Sequence, residues 1–175
     1  MNFPAFTIID ADESHLQGIT AIYNQAVRET FSIWSETEIT VEQRRRWLHA
    51  RRNASFPVIV AVRRIPGRPD DVIGYGSYGV FRDFPGYANT VEHSVYVRPD
   101  AHGQGVGRAL LLDLIERART QNVTTMVGGV DSQNAASIAL HRALGFEKQG
   151  ELKGVGQKFG RSLDLIFMVK GLHLT

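Results

Sequence analysis

The chain has 175 residues and 19.5 kDa, 43% hydrophobic and 22% charged, which suits one domain with its own core and is too apolar for disorder. No cysteine is present, which excludes disulfides, thiolate zinc sites, iron–sulfur clusters and a catalytic thiol together, and fits a reducing compartment. Twenty Lys and Arg against 18 Asp and Glu leave a net charge of +2, too even for coating nucleic acid; no apolar run of about 18 residues offers a membrane span, and Met1–Ala5 lacks the pattern of a secretory signal. A cytoplasmic enzyme or binding domain is the expectation.

Phe6 to Ile9 reads as a short strand. Asp12 is placed to cap a helix in which Leu16, Ile19, Ile22, Tyr23, Ala26 and Val27 recur at helical spacing. Thr40 opens a second helix, with Glu42 in its first turn, followed by Trp47 and Leu48. Phe56 to Val62 is a dense β-branched run, hence a buried strand. Ile65 to Asp71 carries two prolines, a glycine and paired aspartates, a turn between strands. Val72 to Val80 and Thr90 to Val97 are the next strands. Gly103 to Gly107 forms a glycine loop leading into a helix that reaches about Thr120, with Leu110, Leu114 and Ala118 in one stripe beside Leu111 and Ile115. Thr124 to Val130 is a strand, Asn134 to Leu144 a helix ended by Gly145, and Phe146 to Leu152 and Ser162 to Val169 are the last strands. Helices interrupt strands, yet two early strands are joined by a turn, so the expected fold is an α/β or α+β layer around a mixed sheet.

The glycine loop is the strongest chemical signal. From Val95 to Arg108 a strand ends, Pro99 stops it, Gly103, Gly105 and Gly107 alternate, and a helix begins. Glycines let backbone N–H groups converge at a helix N-terminus, where the dipole adds about half a positive charge. Such a concavity suits a phosphate or pyrophosphate; the alternative is a turn with no ligand. The dinucleotide fingerprint is excluded because Arg108 stands where its third glycine belongs, and the P-loop because Gly107 is followed by Arg108 and Ala109.

The loop resembles motif A of the GCN5-related N-acetyltransferases (GNAT), with His102 where Arg or Gln usually lies and Gly105 and Gly107 matching. Asn134-Ala135-Ala136-Ser137 and Leu140 to Phe146 resemble motif B. Further segments, among them Gly74 to Gly79, Phe81-Arg82, Gly86-Tyr87, Glu92 to Val97 and Lys158 to Arg161, resemble the phosphinothricin and methionine sulfoximine acetyltransferases over nearly the whole chain. The resemblance implies a single GNAT domain over the whole chain, 1–175, with a mixed, mostly antiparallel central sheet flanked by helices on both faces. It implies acetyl-CoA as cosubstrate, its pyrophosphate on Gly103, Gln104, Gly105, Val106, Gly107 and Arg108. Its pantetheine arm would run along Val95, Tyr96 and Val97, with Asn134 and Ser137 beside it. Capping is the competing reading for Asn134. The branch acetylates the α-amino group of small amino acids or analogues and is usually a homodimer. Acceptors of another class are a peptide N-terminus or a polyamine; a non-catalytic acyl-CoA sensor is the alternative to an enzyme.

Amine acetylation needs a base, because an ammonium has no lone pair. Glu92, three residues before Val95, is the candidate, and the resemblance assigns it that role; pure ammonium binding and an exposed strand position are the alternatives. Arg82, within Phe81-Arg82-Asp83-Phe84, is the candidate for gripping the acceptor carboxylate, with a solvated loop arginine as the alternative. Phe84 covers the apolar part of the acceptor, and His93 and Ser94 adjoin the base. No residue emerges as general acid: Gln157 stands where this branch often has Tyr, and no Tyr follows Tyr96. Arg44, Arg45, Arg46, Arg51 and Arg52 read as a solvated helix rather than a nucleic-acid surface, with the adenosine 3′-phosphate of CoA or a partner subunit as other uses. Trp34 and Trp47 read as core. The six His show no metal-ligand pairing, so no metal is expected.

Overall fold

The computed structural model describes residues 6–64 and 66–172; the readings made on Met1–Ala5 and on Ile65 lie outside them. The described chain forms β1 (Thr7–Asp10), α1 (Leu16–Glu29), α2 (Val41–Asn53), β2 (Val58–Arg63), β3 (Asp71–Val80), β4 (Thr90–Val97), α3 (Val106–Thr120), β5 (Thr125–Asp131), α4 (Ala135–Ala143), β6 (Glu147–Lys158) and β7 (Arg161–Gly171). Asp12 caps a short 3₁₀ turn, Glu13–His15, that runs into α1, and its side chain accepts from the Ser14 amide at 2.9 Å. Thr40 and Gln43 exchange hydrogen bonds at the start of α2, a capping box.

The sheet order is β1-β2-β3-β4-β5-β7-β6, antiparallel everywhere except β4–β5. That pair is parallel because α3 carries the chain back across the sheet between them. Helices cover both faces. Ile59 and Ala61 of β2 pack toward α3 with Leu110, Leu111 and Leu114; Val58, Val60 and Val62 pack toward α1 and α2 with Ile19, Ile22 and Leu48. A strand buried on both sides reads as an unbroken apolar run, and β2 does. Among the described residues no helix is long and apolar enough to cross a membrane.

Two expectations change. First, β6 does not stop at Leu152 but continues to Lys158 and turns at Phe159-Gly160 into β7. Gly154 and Gly156 read as breakers in the sequence, and the pairing does shift between Leu152 and Gly156. Gly156 is there because the Trp34 ring lies flat against it: a Cβ would come within 2.2 Å of Trp34 Cε3. Second, the basic cluster of α2 is solvated only in part: Arg44 is buried and Arg51 half-buried, while Arg46 and Arg52 are exposed. Positions 44, 47, 48 and 51 share one side of the helix. Arg44 is 5% exposed, its guanidinium 4.4 Å from the Tyr23 ring centroid and 4.5 Å from that of Trp47. A flat, weakly hydrated guanidinium stacks on aromatic faces at a lower desolvation cost than an ammonium. Arg46 alone of the cluster remains a simple exposed arginine; Arg45 pairs with Glu13 and Glu42, and Arg52 donates to the Ala11 carbonyl.

Candidate active site

β4 and β5 pair only over Thr90–Glu92 and Thr125–Val127. Beyond Glu92 the two strands share no register, and a cavity of about 680 Å³ lies between them. Its walls include Ser94 to Val97 of β4, Gly128 to Asp131 of β5, the glycine loop, and Asn134, Ser137 and His141 of α4. Ser94 to Val97 thus carry main-chain groups on the β5 side with no strand to receive them.

At one end, Gly103 and Gly105 have φ of +73° and +81°. Gly105 caps α3 in the left-handed conformation, and the first amides of the helix, from Val106 to Arg108, have no intrahelical acceptor. His102 Nε2 donates to the Val97 carbonyl at 2.9 Å and fastens the loop to the end of β4. Gln104 points elsewhere, accepting from Arg63 and donating to the Asp100 carbonyl, and its side chain is not in the cavity wall. Asn134 caps α4 by accepting from the Ser137 amide at 3.0 Å. It also lines the cavity, so capping and ligand contact are compatible for this residue.

β4 alternates sides. Val95 and Val97 pack with the α3 core, Tyr96 with the α1–α2 core, so Glu92, Ser94 and Tyr96 share one face and His93 the other. His93 is buried against His141, Nε2 to Nε2 3.0 Å, and both rings touch Phe146. His141 Nδ1 donates to the Ser137 carbonyl at 2.7 Å, so its Nε2 accepts from His93. Burial lowers the pKa of both, and the pair is neutral. Tyr96 stacks on Tyr75 at 5.3 Å, and burial holds its hydroxyl neutral, with a pKa pushed to about 12.

Glu92 stands where β4 parts from β5, half-buried, with Oε1 3.1 Å from the place a Cβ of Gly129 would occupy. Burial raises its pKa above the ordinary carboxylate value, and the charge of Arg82 offsets part of that rise. Arg82, Asp83 and Phe84 do not join the cavity. They line a neighbouring recess of about 290 Å³ with Phe56 and Tyr87, and Val80 borders both spaces. Arg82 donates to the Phe81 carbonyl at 2.8 Å and stacks on the Phe81 ring. The cavity wall instead includes Gln25, Thr30, Ser32 and Arg51. Sequence reasoning missed these. Arg51 carried a usable signal, since it falls on the Arg44–Trp47–Leu48 face of α2.

The GNAT acetyltransferase domain matches residues 8–167. The chain belongs to the GNAT acetyltransferases. It is 50% identical over 169 residues to the L-methionine sulfoximine/L-methionine sulfone acetyltransferase of Pseudomonas paraeruginosa, covering 97% of this chain and 96% of that one. Among solved structures it resembles yncA of Salmonella typhimurium, determined with its cofactor acetyl-CoA: 45% identity, TM-score 0.90, 97% of this chain and 95% of that one. It also resembles the ribosomal-protein-alanine N-acetyltransferase of Brucella melitensis: 50% identity, TM-score 0.89, 94% and 99% covered. This GNAT enzyme is therefore an acetyltransferase.

Proposed function

We propose that this GNAT acetyltransferase acetylates the α-amino group of a small amino acid of the methionine sulfone or methionine sulfoximine type. One observation carries the reading: a half-buried Glu92 with a raised pKa sits at the parting of β4 and β5, in the same cavity as the glycine loop. The loop fits a pyrophosphate, since Gly103 and Gly105 take left-handed φ and leave the first α3 amides free. Val95, Tyr96 and Val97 offer main-chain partners to an extended arm, and Asn134 and Ser137 face the same space. Acetyl-CoA, when bound, supplies the acetyl group as an activated thioester.

Glu92 accepts a proton from the acceptor ammonium, directly or through one water, and frees the lone pair that attacks the acyl carbon. Unpaired amides of β4 beyond Glu92 are the donors available to negative charge on the acyl oxygen. A thiolate is a good leaving group, so no acid is assigned. Ser94 shares Glu92's face, while His93 supports the floor from the other side. Arg82, Asp83 and Phe84 form the rim, where the Arg82 charge tempers Glu92. The enzyme works in the cytoplasm as a homodimer; exposed Leu152, Val155 and Phe159 on the β6–β7 hairpin support the second part of that statement.

A panel of amines scored by CoA release tests the acceptor. Methionine sulfone and methionine sulfoximine should turn over at least tenfold faster than spermidine or an alanine-initiated peptide. The likeness to the ribosomal-protein-alanine enzyme favours the peptide as the competing acceptor, and a faster peptide would replace the amino acid in this reading.

A further inference from the structure

We propose that Arg51 of α2 binds the carboxylate of the acceptor amino acid. The inference rests on the amino-acid acceptor proposed above and adds the group that recognises its second charge. Sequence reasoning points to Arg82 for this task, but the geometry points to Arg51.

The guanidinium of Arg51 lies on the strand beside the base. Gly79 of β3 stands directly opposite Glu92 of β4 in the antiparallel register. A Cβ on Gly79 would come within 1.6 Å of Arg51 Nη1, so the guanidinium fills the space of the missing side chain. Directly opposed residues have Cβ atoms about 4.5–5.5 Å apart. Arg51 is therefore one cross-strand step from Glu92, on the same face, and both line the cavity.

Arg51 is also without a counter-ion. Arg45, Arg98 and Arg117 are each paired with two carboxylates. Among the described residues no carboxylate acts on the Arg51 charge, and its Nε is buried with no hydrogen-bond partner. Burial lowers its pKa with nothing opposing the shift. The other guanidinium in the cavity wall, Arg108, is in the first turn of α3 at the loop end. Near Glu92 the cavity wall thus offers a carboxylate one half-buried guanidinium with no counter-ion, while the exposed Arg82 acts on Glu92 from the adjoining recess.

A zwitterion matches this pair. Its ammonium meets Glu92 and its carboxylate meets Arg51, with one carbon between the two groups. The guanidinium presents parallel N–H donors that suit a carboxylate in two-point contact. Arg82, by contrast, is exposed, satisfied by Phe81, and in the adjoining recess.

The test compares kcat/KM for methionine sulfone with that for its decarboxylated counterpart, 3-(methylsulfonyl)propan-1-amine. The wild type should favour the amino acid. In Arg51→Gln the ratio of the two values should fall about 100-fold, through KM for the amino acid, and Arg51→Lys should recover part of it. Gly79→Ala is the second variant: its methyl displaces only the end of a flexible arginine, so the fold persists while the ratio drops. Acetyl-CoA affinity and melting temperature identify any variant that has lost its fold. A wild-type ratio in both Arg51→Gln and Gly79→Ala overturns the inference, as does a collapse in Arg82→Gln that Arg51→Gln does not share. Wild-type enzyme that acetylates neither compound overturns the acceptor reading itself, before any variant is compared.

Discussion

Glu92 has an environment that suits the proposed proton transfer and costs stability when the carboxylate is ionised. Burial raises its pKa, so the folded protein binds more protons at this site than the unfolded chain between the ordinary carboxylate pKa and the raised one. Stability therefore falls as pH rises through that window, and the loss is complete above it. Glu92→Gln removes the titration. It should melt higher than wild type at pH 7 and lose that advantage near pH 4, read by thermal denaturation at both pH values. Activity moves the opposite way. A base works only when ionised, so the acidic limb of kcat/KM should lie above the usual carboxylate range in wild type. Glu92→Gln should slow kcat by about 10²–10⁴ with acetyl-CoA binding retained. A variant with wild-type turnover removes Glu92 from proton transfer and leaves it, at most, an ammonium anchor.

At the scale of elements, the glycine loop and the β6–β7 hairpin differ in how openly the chain states them. Gly103, Gly105 and Gly107 between a strand and a helix are a local pattern, and a local pattern is readable. Gly105→Ala should cost about tenfold in acetyl-CoA affinity, measured by calorimetry. An alanine at φ +81° is strained, and relieving that strain turns the amides away. The hairpin is legible only to Leu152, because its last turns are fixed by partners far along the chain. Trp34 covers Gly156, and Lys158 reaches back to α1. The lysine is 1% exposed, and its Nζ donates to the carbonyls of Thr30 at 2.6 Å and Ile33 at 2.8 Å, with Ala26 O at 3.4 Å. The helical spacing of α2 marks Arg51 as inward-facing, but its place beside Glu92 depends on Gly79, distant in the chain, lacking a side chain. Lys158→Met leaves buried carbonyls unpaired at the end of α1 and should cost about 3 kcal/mol, or roughly 6–12 °C in melting temperature. Thr30 and Ser32 line the cavity. The same variant should therefore raise KM for the acceptor and leave acetyl-CoA affinity near wild type, a split that steady-state kinetics and calorimetry resolve.

The whole molecule is a sheet that closes on both sides and opens in the middle. β1 to β4 form one continuous antiparallel unit, β5, β7 and β6 another. The two meet through three residue pairs between β4 and β5. α3 crosses from one unit to the other, and its leucines pack under β2, β3 and β4. A ligand lying along Ser94 to Val97 with its phosphates on the loop completes a seam that the protein leaves unpaired. It therefore stabilises the native state by mass action. At about 100 times its dissociation constant, CoA should add roughly 2.7 kcal/mol, a rise of about 5–10 °C for a chain of this size. The location of the effect separates this account from general tightening. Hydrogen exchange should slow most at the amides of Ser94 to Val97 and of Gly103 to Arg108. Slowing should be small in β1 and β2, which are already paired on the far side of β3. Uniform protection, or protection that spares β4 beyond Glu92, would mean that the acyl donor lies somewhere other than the parting of the sheet.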